Sequence, residues 1–116
     1  MNWYIVKIVF RISTEGNAHK DQFDEHLRLI TADSQEEAVL KARVLGLKEE
    51  DYFLNDKQQA VKWEFVNVSD IQPLQELKDG IELYSQIHER EQGAEYVHYV
   101  HLRAASLHSK SLAVEA

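Results

Sequence analysis

Apolar residues at the start of the chain recur at every second position: Tyr4, Val6, Ile8, Phe10 and Ile12 alternate with Trp3, Ile5, Lys7, Val9 and Arg11. A period of two puts successive side chains on opposite faces of a strand, so the first set forms a core face. Trp3, Ile5 and Val9 make the second face apolar too, which calls for cover there by a helix or by another subunit. The polar stretch 14–21, with Gly16-Asn17 inside it, reads as a hairpin connection. Residues 22–32 follow as a second strand on which Phe23, Leu27 and Leu29 share a face. The run Asp24-Glu25-His26 reads as charged and solvent-facing, opposite Leu27 and Leu29.

The pattern then changes period. Ser34 followed by Glu37 is a capping box, in which the hydroxyl accepts from a helix amide and the carboxylate reaches back to the cap. Ala38, Ala42 and Leu45 recur at helical spacing, Glu36 and Glu37 suit the first turn, and Gly46 supplies a stop, which predicts a helix over 35–46. Residues 48–59 are polar, with a turn at Asn55-Asp56. The β-rich run 60–68, containing Val61, Trp63, Phe65, Val66 and Val68, predicts a third strand, with Pro73 at its end or edge. After the turn dipeptide Asp79-Gly80, residues 81–87 read as a fourth strand, a helix being the alternative. Tyr96, Val100, Ala104 and Leu107 form a stripe on a last helix over about 93–108, followed by a frayed tail at 109–116.

The order is ββα followed by ββα, the pattern of an α+β domain in which an antiparallel four-stranded sheet carries two helices packed on one face. With 116 residues, 44% of them apolar, the chain is read as a single domain with a real core. Lys and Arg number 13 against 20 Asp and Glu, a net charge of -7, and the acidity concentrates between residues 14 and 88. No cluster of basic residues exists to release counterions from a phosphate backbone, which argues against a nucleic-acid partner. The absence of cysteine removes thiol catalysis, disulfides and Cys-based metal sites. No run approaches the roughly 20 apolar residues of a membrane span, and a cytoplasmic location with no membrane partner is expected.

Candidate chemistry is sparse. His98 and His101 stand one helical turn apart, with His88 or Glu95 near enough in sequence to complete a metal set, but two polar residues on an open helix face need nothing further and no metal site is assigned. Neighbouring residues on a strand point to opposite faces, so Glu25 and His26 cannot share one site without a bulge. No phosphate-cradling glycine loop or nucleophile elbow is present, so no cofactor and no catalytic residue is assigned. Trp63 is read as structural, whereas Trp3, at a strand start on the second face, is a candidate partner contact.

Several stretches taken together, Asn2-Trp3-Tyr4-Ile5-Val6-Lys7, Thr31-Ala32-Asp33-Ser34-Gln35-Glu36-Glu37-Ala38, Val61 through Val68 and Leu77 through Ser85, resemble a bacterial family known as domain of unknown function 4288. The likeness covers about 2–88 and leaves the last helix outside. It implies a small standalone or appended bacterial domain and brings no activity, cofactor or catalytic residue. Within it Glu82, Tyr84 and Ser85 follow a turn and are more polar than a structural strand requires, which makes them, with Trp3, the candidate contact residues. The expected function is a non-enzymatic interaction module, homo-oligomeric with a dimer favoured, or in a more specific form an antidote-like binder of a basic bacterial protein. The alternative is a small-ligand binder or enzyme with a site near Glu82, Tyr84 and Ser85.

Overall fold

A computed structural model describes residues 1–17 and 20–115, with side chains described as far as Leu107. The elements are β1 (Asn2–Thr14), β2 (Gln22–Ala32), α1 (Gln35–Lys48), β3 (Asp51–Leu54), β4 (Ala60–Leu74) and α2 (Gly93–Glu115). The ββαββα order and the four-stranded antiparallel sheet are as expected, and the strands lie in the spatial order β2-β1-β4-β3. The chain forms two compact units, Met1–Ser85 and a second from Gln86 on. Of the expected hairpin loop, Ala18 and His19 lie outside the described residues, as do Ala116 and the side chains of the expected tail.

In the first unit β1 is central, flanked by β2 and β4. Val6, Ile8 and Phe10 are fully buried on its core face, where removal from water stabilises the fold by roughly 1.5–3 kcal/mol per side chain. The register with β4 slips twice, between Lys7 and Ile8 and between Val9 and Phe10, leaving Ser69 and Val66 as extra residues. Each slip switches which parity of β4 faces the core. Ile71, Val68, Phe65 and Trp63, spaced by three, three and two, therefore all pack on the same cluster. Pro73 sits next to the strand's last residue, where a missing amide does least harm.

Helix α1 closes the core face. Ser34 caps it, its Oγ accepting from the Glu37 amide at 3.1 Å, while the Glu37 carboxylate accepts from the Asp33 amide. Ala38, Ala42 and Gly46 are its buried residues, one small side chain per turn, so the helix axis lies close to the sheet. The expected stop at Gly46 is corrected: the helix runs on to Lys48, and Gly46 is there because the Phe65 ring occupies the space a side chain would need. A Cβ built at 46 would lie 2.6 Å from Phe65 Cε1.

The expected fourth strand at 81–87 is also corrected, since that segment has no regular secondary structure. Its place in the sheet is taken by β3, within the stretch read as polar, which pairs with the start of β4 from Asp51↔Trp63 to Leu54↔Ala60. Asn55 closes that hairpin, its Oδ1 accepting from the amides of Lys57 and Gln59. Alternation at 81–85 signals a chain with one apolar side, and the face of a sheet satisfies that as well as a ladder does.

Replacing Gly46 with Ala tests the close approach. Helix propensity alone would add up to about 1 kcal/mol, whereas overpacking costs about 1–3 kcal/mol, so a net loss in chemical denaturation is expected. Gly46→Ala combined with Phe65→Leu should lose less than the two single losses added together.

Candidate functional site

The parity of the β1–β2 ladder fixes what each face of the sheet presents. Tyr4 stands opposite Ile30, Val6 opposite Arg28, Ile8 opposite His26 and Phe10 opposite Asp24. The charged set Asp24, His26 and Arg28 is thus half-buried on the core side, and Phe23, Leu27 and Leu29 are exposed on the other. This overturns the reading of Asp24 and His26 as solvent-facing. Ile30 and Ala32 are the β2 residues that fill the core, which leaves its remaining core side to polar groups that find partners.

Those partners form a chain. His26 Nε2 lies 2.5 Å from Asp24 Oδ2, and Arg28 Nη1 lies 3.3 Å from His26 Nδ1. Arg28 then donates two bonds to Glu49, at 2.6 and 2.9 Å. Arginine has no acceptor, so Nδ1 accepts from it and Nε2–H donates to Asp24, and both ring nitrogens are in use. The ring itself rests against Phe10, 5.1 Å between centroids. Glu49 is the C-cap of α1, a position where a carboxylate opposes the helix dipole, and Arg28 supplies the compensating charge. Its hydrogen bonds hold the Glu49 pKa below the ordinary carboxylate value, against the pull of burial. The network fastens β2 to the end of α1 and offers no free base or nucleophile.

The outer face has a different centre. Lys7 is only 12% exposed at its side chain, with Asp70 Oδ2 at 3.9 Å and Glu25 Oε1 at 4.0 Å. Its ammonium stands 4.8 Å from the centroid of Tyr84. The Tyr84 side chain first, then Glu25 and Asp70, raise the Lys7 pKa above its ordinary value despite desolvation. A lysine held this firmly protonated is a fixed charge and a poor nucleophile. Beside it Ile5, Leu27, Leu29, Leu74, Leu77 and Leu83 line an apolar groove of about 170 Å³. The segment after β4 thus lies along the second face of β1 and gives Ile5, 6% exposed, part of the cover its sequence demanded.

Of the expected contact residues, Trp3 and Tyr84 fall on this outer face. Trp3 is 47% exposed and pairs across the sheet with Thr31 and Leu74, while Tyr84 is half-buried against Lys7. Glu82 and Ser85 are exposed, and no hydrogen bond joins them to Tyr84 among the described residues. Sequence reasoning missed Lys7, Glu25 and Asp70; the signal was a lysine in mid-strand between Ile5 and Val9, where a charge needs partners. In the second unit His98 and His101 are exposed on α2, and the ring of Tyr96 packs against His88 and Arg90. Among the described residues no three His, Asp or Glu side chains gather as a metal set, and no helix is long and apolar enough to cross a membrane.

Two measurements follow from these contacts. Glu49→Gln should cost about 1 kcal/mol near neutral pH, since a half-exposed bidentate pair is worth little more. A lowered folded pKa gives stability that is complete above the unfolded value near 4.5 and fades as pH falls through the folded value, so the variant should show a flatter acid limb in urea melts than the parent. Tyr84→Ala removes a cation–π contact worth about 1 kcal/mol and should speed tryptic cleavage after Lys78 about fivefold, with the melting of the sheet nearly unchanged. Equal cleavage rates would show that Tyr84 does not hold the segment.

No curated protein and no solved structure matches the chain. Residues 3–85, which span β1 to the Tyr84 contact, match the family described as domain of unknown function DUF4288, and the chain belongs to that family.

Proposed function

We propose that the chain is a non-enzymatic, homo-oligomeric protein-interaction module whose outer sheet face receives a protein partner. The observation that carries this reading is the exposure of large apolar side chains on that one face. Trp3, Phe23, Leu27, Leu29, Leu77 and Leu83 are between 47% and 79% exposed, although the core face of the same sheet is closed by α1. Trp3, Leu27, Leu29, Leu77 and Leu83 lie to one side of the Lys7–Glu25 pair and Phe23 to the other, and exposed apolar groups around a fixed charged pair are what a contact patch offers. Lys7, Glu25 and Asp70 supply such a charged group and give orientation to what docks there.

The net charge of -7 permits a basic partner, which is the antidote-like form of the reading. The small-ligand or enzyme alternative gains little from the site, because the groove of about 170 Å³ is below the 300–1,000 Å³ usual for ligand pockets. Among the described residues Glu82 and Ser85 also have no side-chain hydrogen bond of the kind that fixes a general acid or nucleophile.

A photo-crosslinking amino acid placed at Trp3 or Leu83 in the producing cell tests this. Protein adducts are expected at both positions and not at the α1 surface residue Arg43. Their absence at 3 and 83, with the variants folded, would overturn the assignment of the outer face.

A further inference from the structure

We propose that two copies of the chain join through the free edges of β2, antiparallel, about a two-fold axis that passes through His26. The proposal rests on the homo-oligomeric reading above and names its interface. β2 is an edge strand of eleven residues, free of Pro and Gly, and β1 is its only ladder partner among the described residues. A long regular edge exposes a row of amides and carbonyls that another strand can complete. Charges pointing off such a strand usually guard it. Those on β2 instead select one pairing.

A two-fold axis normal to the sheet keeps each face continuous, so residues of equal parity must meet, and a register centred on residue n pairs i with 2n − i. Centring on 24, 25 or 28 sets Asp24, Glu25 or Arg28 against its own copy, which like charges directly opposite disfavour. Centring on 27 puts Arg28 against His26 and sets no carboxylate opposite a cation. Centring on 26 alone sets Asp24 against Arg28 of the second copy, twice by symmetry, with Glu25 against Leu27 and Phe23 against Leu29 on the outer face. Arg28 has five donors, and its bonds to Glu49 and His26 leave capacity for the second copy's Asp24. The charge complementarity of this register is what identifies the occupant as a second copy. Joined in this way, the two outer faces become one apolar surface across the axis.

The chain has no cysteine, so single substitutions report the register without interference. Under mild oxidation His26→Cys is expected to form a disulfide-linked dimer about tenfold faster than Glu25→Cys or Leu27→Cys alone, because opposed residues bring Cβ atoms within disulfide reach. Mixing the Glu25→Cys and Leu27→Cys proteins should give the mixed dimer, a test that leaves His26 in place. Asp24→Lys should dissociate the dimer in light scattering while the monomer keeps the circular dichroism of the parent. A folded parent that stays monomeric at high concentration overturns the homo-oligomeric reading and this proposal together. A dimer that forms disulfides at Trp3→Cys, or at 25 or 27 alone, and not at 26 overturns only the edge register.

Discussion

The fold is organised by a strand that is apolar on both faces. β1 sits in the middle of the first unit with Val6, Ile8 and Phe10 removed from water on one side and Ile5 on the other. Neither face is stable in water, so the rest of the domain is arranged to cover it. Helix α1 covers the core face at close range through Ala38, Ala42 and Gly46. The outer face gets partial cover from the segment carrying Leu77, Leu83 and Tyr84. This asymmetry is the physical basis of the functional reading, since the surface left over is large, apolar and placed on a rigid sheet.

The polar network on the core side explains why β2 can turn its apolar residues outward. If Phe23, Leu27 and Leu29 faced α1, Asp24, His26 and Arg28 would lie in solvent and the core would be more conventional. Instead Arg28 bridges to Glu49 at the end of α1, and His26 lies between Asp24 and Arg28. Each charged group has a partner, which keeps the desolvation cost of half-burial small. The apolar residues released by this arrangement are those that widen the outer face.

Much of this was legible in the sequence. Period-two alternation located β1 and its core face, and the Ser34–Glu37 pair located the start of α1, because both are local signals written in adjacent residues. What could not be read depended on distant partners. The end of α1 was misplaced at Gly46 because a glycine looks the same whether it stops a helix or makes room for a ring from β4. Alternation after Gly80 suggested a strand, since extended chain on a sheet face carries the same pattern as a paired strand. β3 was hidden by its length of four residues and its polar flanks. The facing of β2 reads the wrong way in the sequence because Phe23, Leu27 and Leu29 look like a core side, and the contact that half-buries the charged side, Arg28 with Glu49, joins residues far apart in the chain. The Lys7 cluster was invisible for the same reason, being assembled from β1, β2, β4 and the segment after it.

The claim that most needs testing is that the outer face is occupied when the protein works. Hydroxyl-radical footprinting of the full chain, in the producing cell and after purification, addresses it directly. Trp3, Leu29 and Leu83 should be less reactive in the cell than in the purified protein, while Leu40 and Val44, exposed on α1, should react alike in both. Equal reactivity of the outer face in the two settings, or protection confined to Leu40 and Val44, would contradict the account.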